Sequence, residues 1–195
     1  MSTEGTRERI QQVALDLFGE QGYDKTSLRE IAERLEVTKA ALYYHFKSKE
    51  AILESLLEDH LSEIERLVDW AADRPGDVET RQQFVERYAT IVVHRAKVMR
   101  FLQQGSSALK DSDMGRRFKE SMKRVNEILR DEDAPLVDQV RALGAVLSIH
   151  VGSMVFGAGS ETPFGPGGDH DPAEVHAAVT QVAREMIAAN GSGPA

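Results

Sequence analysis

The chain of 195 residues has 24 Lys and Arg against 32 Asp and Glu, a formal net charge of −8, and 41% of its residues are apolar. This composition is typical of a globular protein with a sizeable core, and the lack of cysteine excludes disulfide scaffolds, cysteine-ligated zinc and thiol catalysis. The sequence contains no run of about 20 uninterrupted apolar residues, so we predict no membrane-spanning helix. The polar first nine residues lack the apolar segment of a secretory signal, so we expect a cytoplasmic protein. Taken alone, the negative charge argues against a nucleic-acid partner.

Apolar residues recur at helical spacing along almost the whole chain, and no convincing strand pattern is present. Gly22 suits the residue after the first helix, Ser27 with Glu30 forms a capping box, and Thr38 and Ser48 suit two further N-caps. The predicted helices cover residues 10–21, 27–35, 38–44, 48–70, 78–94, 96–109, 114–130, 136–156 and 172–189, with a Gly- and Pro-rich loop over 157–172. We therefore predict an all-α fold of about nine helices.

The second and third predicted helices, joined by a tight turn, have the dimensions of a helix-turn-helix. In such a motif the outer face of the second helix enters the major groove of DNA. Residues 37–49 contain three lysines and no acidic residue, so they carry +3 and leave −11 for the rest of the chain. On spacing alone, a solvated basic loop between two core helices remains an alternative.

Four sequence blocks sharpen this interpretation: ALDLF at 14–18, GYD at 22–24, TSLREIA at 26–32 and VTKAALYYHFKSKE at 37–50. With them, the stretch from Arg7 to Leu57 resembles the N-terminal domain of the TetR family of bacterial transcriptional regulators. The resemblance implies a DNA-binding domain over 1–50 and a helical effector-binding and dimerisation domain over 51–190. It also implies a homodimeric repressor that binds a palindromic operator and is released by a small molecule.

The resemblance assigns DNA contacts by position. Lys39, Ala40, Ala41 and Tyr43 match the groove-facing side, and Arg29 matches a position that reaches a base. The positions that match phosphate contacts are Thr26, Ser27, Thr38, Tyr43, His45 and Lys49. Leu42 is expected in the core, and Tyr44 and Phe46 partly or wholly so.

Two positions depart from the family pattern. Glu36 stands where a turn glycine is usual, and a non-glycine residue with positive φ costs about 1 kcal/mol. Ala40 replaces a common small glycine. Because two alanines stand side by side, we expect base readout to rest on Arg29, Lys39, Tyr43 and methyl contacts, with DNA shape contributing.

The remaining chain offers candidates for an effector pocket and a dimer interface. Apolar, aromatic and histidine residues of the middle helices are the candidate pocket liners: Trp70, Phe84, Tyr88, Ile91, His94, Met99, Phe101, Leu102, Phe118, Met122, Leu147, His150, Val151 and Met154. The last two helices carry a stripe of small residues and adjacent apolar residues as the candidate interface: Val140, Gly144, Leu147, Ser148, Gly152, Val155, Val175, Val179, Val182 and Met186. Two such helices per subunit would form an intersubunit four-helix bundle. Packing inside one subunit remains the alternative for both sets.

Other classes of protein have less support. The sequence holds no Gly-x-Ser-x-Gly, phosphate loop, dinucleotide fingerprint or His-Glu-x-x-His, so we expect no enzyme and no cofactor. Its six histidines show no ligand spacing, so we expect no metal site. A DNA-binding protein without an effector remains open.

Overall fold

A computed structural model describes residues 3–95, 113–157, 161–162, 165–166 and 170–189 of the chain. These residues form eight helices: α1 (Thr3–Gln21), α2 (Leu28–Arg34), α3 (Lys39–His45), α4 (Lys49–Ala72), α5 (Val78–His94), α6 (Asp113–Leu129), α7 (Leu136–Phe156) and α8 (Pro172–Ala188). The fold is all-α, as predicted. A two-residue antiparallel pair, β1 (Glu161–Thr162) with β2 (Gly165–Pro166), lies between α7 and α8. Such short strands cannot show the period-two alternation by which a sequence predicts a strand.

The chain divides into two compact units. Among the described residues, those up to residue 60 together with 113–114 form the first unit and all others form the second, so that the division falls within α4. The predicted helix over 96–109 lies outside the described residues.

The first unit has its own apolar core, built from one face of each of its helices. The buried residues are Ile10, Ala14, Leu15, Leu17 and Phe18 of α1, Ile31, Ala32 and Leu35 from the α2 region, Leu42 and Phe46 from the α3 region, and Ile52, Leu53, Leu56 and Leu57 of α4. Their helical spacing explains why the pattern predicted these elements.

Two left-handed residues shape the turns of this unit. Gly22 has a φ of +92° just after α1, as expected of a residue that follows a helix. Glu36 has a φ of +56° between α2 and α3, so the strain expected of a non-glycine residue in this turn is present. The backbone N–H groups of Glu36 and Val37 donate to Glu33 O and Ala32 O, which holds the turn closed.

In the second unit, α7 packs against α5 and α8. The core consists of Phe84, Tyr88 and their neighbours on α5, Ala142, Ala145 and Ile149 on α7, and a stripe at every fourth residue of α8: Val175, Val179, Ala183 and Ile187. A Cβ added to Gly152 would lie 2.5 Å from Val179 Cγ1. Close approach of α7 to α8 therefore requires glycine at position 152.

Among the described residues, α7 alone is long and apolar enough to cross a membrane by length and composition, with a mean hydropathy of 1.3 over 18 residues. The count of uninterrupted apolar residues did not indicate this. Only 28% of that stretch is buried, although Asp138 in its first turn is buried and forms an ion pair with Arg141 at 2.7 Å. The helix thus has one packed face and one exposed apolar face.

Candidate nucleic-acid interface

The start of α2 is fixed by the predicted capping box. Ser27 Oγ accepts from the Glu30 N–H at 3.3 Å, and the Ser27 N–H donates to Glu30 Oε2 at 2.8 Å. Hydrogen bonds from the Ser27 hydroxyl, the Ser27 N–H and Gln21 lower the pKa of the Glu30 carboxyl. Ser27 is itself exposed, so a phosphate can approach it at the end of the helix where the backbone N–H groups point.

Thr26, assigned to the same phosphate contact, lies inside the turn. Its exposed fraction is 2%, and its hydroxyl donates to Gly22 O at 2.9 Å. Its backbone N–H donates to Tyr23 O. Both Thr26 donors are therefore used to close the turn after α1, and the structure removes this residue from the accessible surface.

The helix α3 begins at Thr38, whose Oγ1 accepts from the Ala41 N–H at 3.1 Å. Thr38, Lys39, Ala40 and Ala41 are all exposed, as a groove-reading surface requires. Leu42 is fully buried and anchors the helix to the core.

One of the two tyrosines of α3 differs from expectation. Tyr43 has an exposed fraction of 36%, whereas Tyr44, expected partly or wholly in the core, has 75%. Position 44 lies about 200° around the helix from the buried Leu42, because successive residues are 100° apart. Tyr44 therefore projects from the outer side of α3, next to the small side chain of Ala40, four residues earlier.

We call the exposed side of α3 the recognition surface and define it as Lys39, Ala40, Ala41, Tyr43 and Tyr44. Lys39 Nζ lies 5.5 Å from the centroid of the Tyr43 ring. The surface thus presents one ammonium group, two phenol hydroxyls and two methyl groups, which suits hydrogen bonding to base edges and contact with thymine methyls.

The two lysines that follow α3, Lys47 and Lys49, donate hydrogen bonds to backbone carbonyls. Lys47 Nζ donates to Tyr43 O at 2.7 Å, at the carboxyl end of α3 where cations are favoured. The sequence prediction did not include Lys47 in the site, although Lys47 contributes to the positive charge of residues 37–49 that favours contact with DNA. His45 is half-buried, with its ring edge-on to Tyr44 at 5.3 Å.

Lys49 joins the start of α4 to the turn after α1. Its Nζ donates to Tyr23 O at 2.8 Å and lies 4.2 Å from the centroid of the Tyr23 ring. The Tyr23 hydroxyl donates to Glu50 Oε1 at 3.0 Å, and burial together with this carboxylate raises the pKa of Tyr23. Lys49 therefore has a structural role in addition to the phosphate contact assigned to it.

Arg29 lies on the exposed side of α2, with 80% of its side chain accessible, and forms an ion pair with Glu33 at 2.7 Å. To reach a base it must leave Glu33. Solvent screens an exposed pair of this kind, so it is weak and Arg29 can exchange it for a DNA contact.

Comparison with known proteins agrees with this geometry. Residues 10–56 match the model of the bacterial regulatory proteins of the tetR family. The chain is 43% identical over 75 residues to the HTH-type transcriptional regulator AcrR of Shigella flexneri, which covers 37% of this chain and 34% of that protein. It is also 43% identical over 61 residues to the negative regulator IcaR of the icaADBC biofilm operon of Staphylococcus aureus (strain Newman). These residues cover 30% of this chain and 33% of that protein. The chain thus spans about a third of the length of these curated relatives.

Solved structures match over nearly the whole chain. The ketosteroid transcriptional regulator KstR2 of Mycobacterium tuberculosis aligns with a TM-score of 0.70 at 16% identity, over 97% of this chain and 96% of that one. A transcriptional regulator from Aquifex aeolicus VF5 aligns with a TM-score of 0.64 at 19% identity, over 93% and 99%. Residues 10–56 therefore form an N-terminal domain of the TetR family. At these identities the structural matches show the fold beyond residue 56, and no more.

The second unit brings several candidate pocket liners together. The Tyr88 hydroxyl lies 2.7 Å from His150 Nε2, its ring stacks on Phe84 with centroids 5.9 Å apart, and its oxygen lies 3.5 Å from Met122 Sδ. Trp70 and Ile91 pack against the same core. Burial lowers the pKa of His150, so the neutral imidazole is favoured there.

The remaining pocket candidates are scattered or undescribed. Leu147 and Val151 lie on the exposed face of α7, with exposed fractions of 50% and 42%. Phe118 and Met154 are half-buried. Met99, Phe101 and Leu102 lie outside the described residues.

One cleft in the second unit has a volume of about 320 Å³ and is lined by Glu63, Thr90, Ile91, His94 and Arg95. Ile91 and His94 were candidates from the sequence. Glu63, Thr90 and Arg95 were missed, because the Arg95–Glu63 ion pair joins residues 32 positions apart and depends on how α4 meets α5.

Of the interface candidates, some lie on a surface and others inside the subunit. Val140, Leu147 and Val182 are exposed, at 59%, 50% and 41%. Gly152, Val175 and Val179 are buried between α7 and α8, because the small stripe serves intrachain packing. The half-buried candidates are Gly144, Ser148, Val155 and Met186. Leu143, which the sequence places beside the small-residue stripe, is exposed as well, and the exposed apolar residues of α7 that the sequence prediction omitted are Leu136, Val137 and Phe156.

Proposed function

We propose that this protein is a transcriptional repressor that binds a palindromic DNA operator as a homodimer and is released by a small molecule. The observation that carries the proposal is the recognition surface: an exposed, carboxylate-free face on a short helix held by a family-typical helix-turn-helix. It would lie in the major groove, which accepts one helix. Its relatives AcrR and IcaR are named as regulators, and IcaR as a negative one.

Tyr44 is the residue of the recognition surface on which this docking depends most. An aromatic ring with an exposed fraction of 75% gains by burial against base methyls and sugars, and its hydroxyl reaches a hydrogen-bond partner. Phosphate contacts from Ser27, Thr38, Tyr43, His45 and Lys49 would set the register, since such contacts position a protein without reading sequence.

The proposal is tested by mapping bound sites across the genome and measuring affinity for the recovered duplex by fluorescence anisotropy. We expect Tyr44→Ala to weaken binding by about 5- to 100-fold, the range for a base contact. Val78→Ala, a change at an exposed residue of α5, is the control and should bind as wild type. A footprint on one asymmetric half-site, or equal affinity of Tyr44→Ala, would contradict the docking.

The homodimer would form through the exposed apolar face of α7. Val140, Leu143, Leu147 and Val151 recur along it at spacings of three to four residues, with exposed fractions between 42% and 59%. Val182 of α8 is also exposed, at 41%. An exposed apolar stripe of this kind on a soluble domain indicates a protein interface, and two helices from each subunit would make a four-helix bundle.

Sedimentation velocity tests this interface. Leu143→Glu and Leu147→Glu should convert the dimer to a monomer while helical content is retained, because both side chains are exposed in the subunit. Val78→Glu, an equally drastic change at an exposed valine of α5, is the matched control and should remain dimeric. A wild-type monomer, or a dimer in both interface variants, would contradict the assignment.

Release by a small molecule would be a shift in population between dimers competent and not competent for DNA. The second unit supports an effector role because it combines the polar Tyr88–His150 pair with aromatic and Met side chains and an open cleft. Such a regulator would act in the cytoplasm, without catalytic activity of its own. Titration of the protein–operator complex with cell extracts tests release, and retention of DNA with every extract would favour a repressor without an effector.

A further inference from the structure

The cleft between α4 and α5 has a charged wall that the aromatic pocket candidates do not share. Arg95 Nη2 contacts Glu63 Oε1 at 2.9 Å, with exposed fractions of 29% for Arg95 and 32% for Glu63. Among the described residues this contact uses one of the guanidinium nitrogens. The other N–H groups of the fork are suited to a second carboxylate, which arginine binds with two parallel hydrogen bonds.

His94 adds a second nitrogen to the same cleft. Its Nδ1 lies 2.8 Å from Thr90 O, and because a carbonyl can only accept, Nδ1 is the protonated nitrogen. Nε2 of this tautomer is an acceptor, so it suits a donor group of a ligand and not a carboxylate. The Thr90 hydroxyl, in contrast, is engaged, since it donates to Glu86 O at 3.0 Å and lies 3.0 Å from His176 Nε2.

We infer that this cleft binds a small organic carboxylate with an apolar body. The inference rests on the proposed function only in that it identifies this molecule as the effector. The carboxylate would take hydrogen bonds from Arg95, and the apolar body would contact Ile91 and the ring of His94. Glu63 already occupies part of the arginine fork, so the ligand competes with it. A volume of about 320 Å³ lies at the lower end of the range for small-molecule sites.

Because the ligand competes with Glu63 for Arg95, substitutions of these two residues should change carboxylate affinity in opposite directions. Arg95→Gln should weaken carboxylate binding by about 10- to 100-fold, as for loss of hydrogen bonds to a charged group. Glu63→Gln should strengthen it, by up to about fivefold, the value of a surface ion pair. An amine-binding site would behave in the reverse way, because Glu63 would then be the ligand's partner.

The experiment is calorimetric titration of the full chain with hexanoate and benzoate, beside hexanamide, benzamide and hexylamine. Carboxylate binding that is weakened in Arg95→Gln and strengthened in Glu63→Gln supports the inference. The matched controls are Arg117→Gln and Glu65→Gln, which break a similarly exposed pair between α6 and α4 at 3.0 Å and should bind as wild type.

Three results would overturn the inference: no carboxylate binding by the wild type, equal binding of the amides, or stronger binding of hexylamine that is lost in Glu63→Gln. Operator affinity without any probe is measured on the same preparations. Wild type that binds its operator but no carboxylate refutes the cleft and leaves the DNA-binding proposal intact. Wild type that binds carboxylate but no DNA refutes the proposed function alone.

Discussion

Glu36 adopts a backbone conformation that glutamate disfavours. Its φ of +56° lies in the left-handed region, where a side chain other than glycine or asparagine costs about 1 kcal/mol. The turn closes nevertheless, because the hydrogen bonds from Glu36 and Val37 to α2 and the buried Leu35 and Leu42 on either side hold it.

Glu36→Asn should therefore stabilise the protein, by about 0.5–1 kcal/mol, because asparagine tolerates the left-handed region without the extra chain entropy of glycine. Urea unfolding at constant ionic strength measures it. Glu36→Ala removes the same carboxylate but keeps the backbone strain, so it should show no gain. Equal stabilisation by alanine and asparagine would mean that charge, rather than φ, is responsible.

His150 makes the stability of the second unit depend on pH. Burial lowers its pKa below the ordinary value of 6.5, so the folded protein binds this proton less readily than the unfolded chain. The unfolded state therefore gains protons first as the pH falls. Stability should be lost as the pH falls from about 6.5 toward the folded pKa, and be unaffected above this window.

His150→Gln tests this dependence, because glutamine can still hydrogen-bond to the Tyr88 hydroxyl but does not titrate. The difference in unfolding free energy between pH 7.5 and 5.5 should be smaller in the variant than in the wild type. Comparing differences cancels the contributions of the other titrating groups. Identical differences in the two proteins would show that His150 does not contribute.

At the scale of the element, caps and periodicity made the helices predictable. The bounds of α5 and α7 coincide with those expected from the sequence, and Ser27, Thr38 and Pro172 stand at the predicted helix starts. Thr26 and Tyr44 were misplaced for a local reason. Neither turn closure by Thr26 nor the rotation of α3 that exposes Tyr44 follows from the family pattern alone.

Tertiary contacts account for what the sequence could not predict in the second unit. The stripe of small residues on α7 indicated close helix packing, and this packing occurs at Gly152 against Val179 within one chain. The exposed stripe beside it reads as equally apolar in sequence. Only the position of α8 decides which face is covered. The cleft at Arg95 and Glu63 likewise depends on contact between two helices.

Two substitutions of Ser27, at the start of α2, can separate its effect on stability from its effect on DNA binding. Ser27→Ala removes the cap and should destabilise the protein by about 1 kcal/mol. Ser27→Asp keeps an equally good cap but places a negative charge where we propose a phosphate. Thermal unfolding should therefore rank aspartate above alanine, whereas operator affinity should be weakest for aspartate. If both measurements rank the variants alike, Ser27 acts only through the helix.

At the scale of the whole molecule, charge is divided along the chain rather than spread over it. Residues 37–49 carry +3 within a chain of −8, so the remaining residues carry −11. An acidic majority repels DNA and limits nonspecific attraction, whereas we propose that the local lysines bind phosphates. Net charge alone suggested no nucleic-acid partner, and its distribution favours one at a single place.

This division predicts the salt dependence of operator binding. Each phosphate contact made by a lysine releases counterions and contributes about 0.9 to the slope of log affinity against log salt. If Lys49 contacts a phosphate in each subunit of a dimer, Lys49→Gln should reduce the slope by about two. Because Lys49 also bonds to Tyr23 O, the variant must first be shown by circular dichroism to be folded at the assay temperature.

The matched control is Lys123→Gln on α6, which removes one positive charge that is paired with Glu127 in the other compact unit. It changes the net charge by the same amount as Lys49→Gln, so long-range electrostatics alone would alter both variants equally. We expect the Lys123→Gln slope to match that of the wild type. Because both variants share one net charge, an equal reduction of the slope in both would show that total charge governs binding. A lower slope for Lys49→Gln alone would place the phosphate contact at the start of α4.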